Sequence, residues 1–154
     1  MKLKPEQLEQ AFSTLKALPL FKGCKEDQIR QLAANLEAVS FTKGKVILME
    51  QEISRTLYVL TQGVVTVWRR EGGVKKRLAT LKAVDFFGEM SMFTEAPANA
   101  LVKAEEDCQM LALARASFDS VAQNDPSMVP AVRAQVEELK KVRPPLFRVV
   151  LGEE

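Results

Sequence analysis

The sequence contains no histidine, and this absence excludes several kinds of site together. Catalytic triads of the Ser–His and Cys–His types need an imidazole as general base, and most zinc and iron sites use imidazole ligands. A carboxylate-based or lysine-based enzyme is still open, but nothing in the sequence points to one. We therefore predict no catalytic residue, no metal site and no bound cofactor, and we interpret the chain as non-enzymatic.

Cysteine is also scarce. Cys24 and Cys108 lie far apart, which indicates reduced thiols in a cytoplasmic protein. No stretch approaches the roughly 20 apolar residues of a membrane-spanning helix, and no signal peptide is visible. The net charge of +2 gives no reason to expect nucleic acid as a partner. We predict a cytoplasmic protein without a membrane span.

The sequence does contain enough length and apolar content for one folded domain. It has 154 residues, of which 47% are hydrophobic and 27% charged, as in ordinary globular proteins. Apolar residues recur at helical spacing in four segments, which predict helices at about 5–18, 25–37, 117–123 and 128–142. We predict a single domain over 1–142, followed by a short tail over 143–154.

Between the second and third of these helices, hydrophobic residues recur at every second position, which indicates β-strands. Glu71-Gly72-Gly73 predicts a hairpin turn. Cations flank the turn; we interpret them mainly as a solvated hairpin, with a docking patch for an acidic partner as the alternative. This number of strands, with helices at both ends, predicts a mainly β fold, an eight-stranded antiparallel β-roll or jelly roll. The cations are Arg69, Arg70, Lys75, Lys76 and Arg77.

The predicted C-terminal helix carries an apolar stripe with the spacing of a coiled-coil seam. The stripe is too short to establish a dimer, so a homodimer through this helix and packing on the barrel are weighted equally. The tail is apolar enough to bind a protein partner, or to dock on its own barrel. The stripe consists of Val129, Val132, Val136 and Leu139, and the apolar tail residues are Leu146, Phe147, Val149, Val150 and Leu151.

The stretch around which the chain is organised runs over 84–104, with the sequence VDFFGEMSMFTEAPANALVKA. A lone carboxylate, Glu89, follows Gly88 inside an apolar run, and burying it without a partner is costly. A turn glycine, a short helical segment and a small-residue stretch make a plausible anion cradle. Spacing alone favours a plainer interpretation, in which Gly88 only permits a turn and Glu89 faces water.

The segment FFGEMSMFTEAPANALVKA resembles the phosphate-binding cassette of the cyclic-nucleotide-binding domain family, which includes catabolite-activator-like proteins and protein kinase A regulatory subunits. The resemblance implies binding of cyclic AMP or a related cyclic nucleotide. It implies that Glu89 accepts from the ribose 2′-hydroxyl and that the backbone N–H groups from Gly88 to Ser91 cradle the phosphate. The implied binding residues are Gly88, Glu89, Met90, Ser91, Pro97, Ala98, Asn99 and Ala100.

One residue departs from the family pattern at the phosphate. Ala98 stands where the family has the arginine that pairs with the cyclic phosphate, and Asn99 offers only a neutral donor nearby. A charge-assisted contact of this kind contributes roughly 1.5–3 kcal/mol, so its loss weakens binding by about one to two decades. We expect Ala98 to direct its Cβ at the phosphate, and an arginine there to reach solvent in the free protein. Gln51 and Val84 also replace glycines that the family commonly uses.

Two hypotheses follow from the resemblance. In the first, the chain is a small sensor that binds a cyclic nucleotide weakly. In the second, it is a ligand-independent protein–protein interaction module that keeps the fold and has lost the nucleotide. Both predict a protein partner. The twelve residues after 142 are too few for the helix-turn-helix domain of the family's transcription regulators, so we expect no DNA-binding domain of that kind.

Overall fold

The computed structural model describes residues 1–142 apart from 94, 96 and 99. Its helices are α1 Pro5–Ala17, α2 Glu26–Ala34, α3 Arg115–Asn124 and α4 Met128–Val142, with short 3-10 helices at Pro19–Phe21 and Glu89–Met92. Its strands are β1 Glu37–Phe41, β2 Val46–Leu48, β3 Thr56–Gln62, β4 Val64–Glu71, β5 Val74–Lys82, β6 Asp85–Phe87, β7 Leu101–Ala104 and β8 Cys108–Ala114. The predicted helix over 25–37 is too long at its end, because β1 already begins at Glu37.

The strands of the described residues form two four-stranded antiparallel sheets, in the orders β1-β8-β3-β6 and β2-β7-β4-β5. This confirms the predicted β-roll with flanking helices. The chain passes from the first sheet to the second at Gly63, which has a φ of +106°. A Cβ at Gly63 would lie 2.6 Å from the Asp107 carbonyl oxygen and 2.8 Å from Cys108 Sγ, so no side chain fits there. Both cysteines are free thiols.

Two hydrophobic clusters stabilise this arrangement. One lies between the helices and the first sheet, and its largest side chains include Phe12, Phe21, Phe86 and Phe118. The other lies inside the roll and joins β2, β4 and β7 to Phe87. Because successive strand residues point to opposite faces, Phe86 and Phe87 contribute to different clusters. The segment that follows β6 is therefore anchored in both clusters.

The apolar stripe of α4 packs against its own chain. Val132 and Val136 are fully buried in the helical cluster, with Val129 and Leu139 partly buried beside them. The helix comes so close to the N-terminal layer that a Cβ on Gly23 would lie 3.3 Å from Ala131 Cβ. Of the two predictions for this stripe, packing within the chain is confirmed, and a dimer through α4 would need another face of the helix.

The helices described by the structure include none that is long and apolar enough to cross a lipid bilayer. The predicted hairpin at 71–73 is confirmed, since β4 ends at Glu71, β5 begins at Val74, and Gly72 and Gly73 have positive φ. The predicted tail over 143–154 lies outside the described residues.

Candidate functional site

The candidate site begins where β6 leaves the first sheet. Tyr58 of β3 pairs with Phe87 in the strand register, and their rings stack with centroids 5.2 Å apart. Phe86 and Phe87 are 4% and 1% exposed, as expected for an anchoring aromatic pair. The turn that follows therefore starts from a fixed position.

Gly88 is the turn itself, and two observations show why the residue is glycine. Its φ is +88°, in the left-handed region that side chains disfavour. A Cβ there would lie 2.6 Å from the carbonyl oxygen of Thr56. Gly88 therefore lets the chain pass close to the start of β3 before the 3-10 helix Glu89–Met92 begins.

Glu89 is the first residue of that 3-10 helix, and it is only 5% exposed. The plainer interpretation, in which its carboxylate faces water, is therefore wrong. The first N–H groups of any helix have no intrahelical acceptor, so the Glu89 and Met90 amides are oriented as donors at this end. A buried carboxylate therefore stands beside amides that have no acceptor within the helix, which suits a ligand carrying both a hydroxyl and an anion.

Ser91 differs from the expected role. Its backbone N–H already donates to the Gly88 carbonyl oxygen at 3.0 Å, so this amide belongs to the 3-10 helix. Its hydroxyl lies 3.7 Å from where a Cβ on Gly88 would stand. Ser91 therefore offers a hydroxyl close to the turn, and Phe93 closes the helix by donating to the Met90 carbonyl at 2.9 Å.

The other side of the site is held by the connection between β2 and β3. The Ala98 N–H donates to the Glu52 carbonyl at 2.8 Å, and the Gln51 N–H donates to the Ala98 carbonyl. Pro97 forms a bridge with Ile53. Gln51 has a φ of +73°, so this backbone takes a glycine-like conformation with a glutamine in place. The departure noted at Gln51 thus leaves the turn geometry intact.

Ala98 stands at the position where the sequence departs from the family's arginine. Its side chain is 2% exposed and belongs to the cluster inside the roll, beside Ile47, Leu48 and Phe87. The Ala98 Cβ therefore lies among apolar side chains, and that an arginine here would reach solvent stays a prediction. Burial of an unpaired cation is unfavourable. Ala100 is also fully buried in the same cluster.

An ion pair holds the loop between the 3-10 helix and Pro97. The Arg55 guanidinium binds the Glu95 carboxylate, and both side chains are about half exposed or more. Arg55 directly precedes Thr56, the residue that Gly88 approaches. This contact ties the loop after the 3-10 helix to the start of β3. It is an exposed pair and contributes about 0–1 kcal/mol.

Tyr58 was missed by sequence reasoning, although it lies directly against the site through Phe87. Desolvation raises the pKa of its phenol, and the nearby Glu52 carboxylate adds to the increase. The phenol is therefore neutral and available as a hydrogen-bond donor at ordinary pH. Alternation along β3 predicts that Tyr58 and Leu60 share a face, but sequence alone does not place them beside Phe87.

The structure thus brings together the predicted residues Gly88, Glu89, Met90 and Ser91 at one turn. Pro97, Ala98 and Ala100 run along the strand-like segment opposite, where Pro97 is exposed and the two alanines are buried. Asn99 lies outside the described residues. In the part of the chain that the structure describes, no three His, Cys, Asp or Glu side chains are grouped as metal ligands.

Comparison with known proteins gives a consistent assignment. The model of the family described as the cyclic nucleotide-binding domain matches residues 38–125. The cyclic AMP receptor protein of Thermus thermophilus is 30% identical over 105 residues, which cover 68% of this chain and 49% of that protein. The chain therefore spans about half of the length of this relative.

Solved structures share the fold. The N-terminal domain of a transcriptional regulator from Streptomyces coelicolor superposes with a TM-score of 0.75 and 27% identity, covering 84% of this chain and 92% of that one. The regulatory domain of Toxoplasma gondii protein kinase A, crystallised with cyclic AMP, gives a TM-score of 0.75 at 22% identity, covering 88% of this chain and 51% of that one. The latter likeness shows the fold alone.

Proposed function

Because this chain belongs to the cyclic nucleotide-binding domain family, we propose that it is a non-enzymatic regulatory module that binds cyclic AMP or a related cyclic nucleotide. The cyclic phosphate accepts from the amides of Glu89 and Met90 and from the Ser91 hydroxyl. The ribose 2′-hydroxyl donates to the Glu89 carboxylate. The module passes the binding event on to a protein partner.

The observation that carries this proposal is the placement of Glu89. A buried carboxylate, 5% exposed, stands directly after a left-handed glycine and at the N-terminus of a 3-10 helix. Burial of a carboxylate is unfavourable unless it is paired, and Glu89 does have an interaction within the chain. Its position beside the first amides of the 3-10 helix suits a ligand that carries a hydroxyl next to an anion.

The buried Ala98 side chain determines how tightly the nucleotide is held. Neutral amide and hydroxyl donors hold the phosphate without a guanidinium, so the charge-assisted part of the contact is missing. The expected loss remains about one to two decades of affinity. We propose weak binding, with specificity carried by Glu89 and the amides.

Isothermal titration calorimetry of the wild-type protein and Glu89→Gln tests the proposal. Glutamine is nearly isosteric, so it preserves the packing and removes the charge that receives the 2′-hydroxyl. We expect cyclic AMP to bind the wild type and to bind Glu89→Gln at least about tenfold more weakly, since hydrogen bonds to charged groups contribute about 1.5–3 kcal/mol.

Glu106→Gln is the matched control, because Glu106 is exposed in the turn after β7 and the charge change is identical. Titrations with cyclic GMP and cyclic dinucleotides show which ligand binds best. Absence of heat with every cyclic nucleotide, in a protein that unfolds cooperatively, would contradict nucleotide binding and leave the ligand-independent module.

A further inference from the structure

The outer face of the second sheet is strongly basic, although the whole chain has a net charge of only +2. Val65 and Val67 of β4 point into the core, so Thr66, Trp68 and Arg70 point to the outer side of the sheet. Thr66 is itself fully covered there, and its hydroxyl donates to the Glu105 carboxylate at 3.0 Å. Residues directly opposite in an antiparallel pair share a face, and the register places cations around Trp68. We call this surface the basic face; it consists of Trp68, Arg70, Lys75, Arg77, Lys82 and Lys103.

The cations of the basic face have no ion-pair partner among the described residues. The β4–β5 hairpin contains one acid, Glu71, which forms its ion pairs on the opposite face of the sheet. Its carboxylate oxygens lie 3.0 Å from Arg69 Nη2 and 3.6 Å from Lys76 Nζ. Arg70 and Lys75 are directly opposite each other. Like charges at such positions destabilise a sheet. The stability of the fold therefore does not explain why the basic face has cations without a nearby acid, while Glu71 neutralises the cations on the other face of the same hairpin.

The strand β5 also offers free backbone groups. It is nine residues long, lies at the edge of its sheet, and pairs only with β4 among the described strands. All four residues from Val74 to Arg77 are exposed. An edge strand of this length is a template for another extended chain. Its lysines repel a second copy of the same strand and attract one that carries carboxylates.

We propose that an acidic, extended segment of a partner protein adds to the free edge of β5 as a further strand, with carboxylates at alternate positions on the side of the basic face. Alternate spacing is required because side chains on one face of a strand recur at every second residue. The carboxylates lie beside Lys75, Arg77 and Lys82, and Arg70 adds charge from the neighbouring strand.

A polypeptide suits this surface better than a nucleic acid. Only a peptide backbone continues the hydrogen-bond ladder of β5. Trp68 is the single aromatic side chain of the basic face, and its indole N–H already donates to the Thr66 hydroxyl at 2.9 Å. The surface has no row of aromatic rings on which successive bases would stack. This interaction is independent of nucleotide binding, because it uses none of the residues of the candidate site.

The test measures binding of a fluorescein-labelled peptide, acetyl-Glu-Val-Glu-Val-Glu-Val-Glu-amide, to the full chain by anisotropy. We expect saturable binding that weakens with salt. Lys75→Glu/Arg77→Glu should weaken binding by about tenfold or more, since two attractions become repulsions. Lys22→Glu/Lys43→Glu makes the same change in net charge away from the basic face, and it should leave the affinity nearly unchanged.

Two further ligands make the experiment decisive. A peptide of the same sequence with N-methylated central residues keeps its charge but cannot pair with the strand edge, so it should bind far more weakly. Equal binding of the methylated peptide overturns the strand addition, as does equal binding by the wild type and the Lys75→Glu/Arg77→Glu variant. Tighter binding of an oligothymidylate than of the peptide would assign the surface to nucleic acid and also overturn the proposal.

Discussion

At the scale of single residues, Gly88 and Glu89 determine what the site does. Gly88 lets the chain turn against the Thr56 carbonyl, and that turn places the buried Glu89 at the start of the 3-10 helix, whose first amides have no acceptor within the helix. The resemblance to the phosphate-binding cassette pointed to both residues, whereas spacing alone favoured a plain turn with a solvent-facing acid. The burial of Glu89 was not readable, since it depends on how β3 and β6 pair.

Gly88→Ala should lower the free energy of unfolding clearly more than Gly44→Ala, because Gly44 has nearly the same φ but no neighbouring atoms. A left-handed alanine costs about 1–2 kcal/mol, and at Gly88 the Cβ also approaches a backbone oxygen to 2.6 Å. Gly44 has a φ of +91° with no atom within 4 Å of its Cβ position, so Gly44→Ala measures the conformational part alone. Thermal unfolding of the two variants gives the difference. Equal melting temperatures of Gly88→Ala and Gly44→Ala would contradict this prediction, since they would show that the turn at Gly88 moves away from the Thr56 oxygen without cost.

Ala98 shows how far inference from a motif reaches. The sequence correctly identified the departure from the family pattern at this position. It could not show that neighbouring apolar residues from β2 and β6 close around the alanine. Which side chains meet inside a barrel depends on strand order, and strand order is a long-range property that local spacing does not encode.

At the scale of elements, helix periodicity and turn residues predicted most of the architecture. The hairpin after Glu71 and the amphipathic helices α1 and α4 agree with the prediction. Periodicity left the use of the α4 stripe open, because the same spacing fits a coiled coil and a buried face. The structure shows that the α4 stripe is a buried face, because Val132 and Val136 lie in the chain's own core.

The junction between α3 and α4 makes stability depend on pH. Hydrogen bonds from Ser127, with Lys25 3.1 Å away, lower the pKa of Asp125 from its ordinary 3.8 to about 2. A lowered pKa in the folded state stabilises the protein above the unfolded pKa, and this contribution is lost as the pH falls toward 2. Asp125→Asn should therefore lower the melting temperature at pH 6, with a difference that shrinks between about pH 5 and pH 2.

Melting curves of both proteins across this pH range make the measurement. Asp119→Asn is the control, since Asp119 is an exposed carboxylate of α3 whose nearest cation, Arg115, is 3.8 Å away. A difference between wild type and Asp125→Asn that does not change with pH would show that the aspartate acts only as a neutral hydrogen-bond acceptor.

At the scale of the whole molecule, the chain places two surfaces on different parts of one β-roll. The turn after β6 faces the connection between β2 and β3, whereas the basic face covers the outer side of the second sheet. Net charge and composition gave no sign of this separation, because acids elsewhere compensate the local excess of cations. Once the strand register is known, the charge asymmetry follows directly from the sequence.

The central claim is that a cyclic nucleotide binds at the turn after β6, and NMR titration of the uniformly ¹⁵N-labelled protein with cyclic AMP tests it most directly. The amides of Gly88, Glu89 and Met90 should show the largest chemical-shift changes, with saturation at high ligand concentration. The chemical shifts of the β5 amides should not change. Unchanged cassette amides at saturating cyclic AMP, or changes confined to another surface, would contradict nucleotide binding at this site.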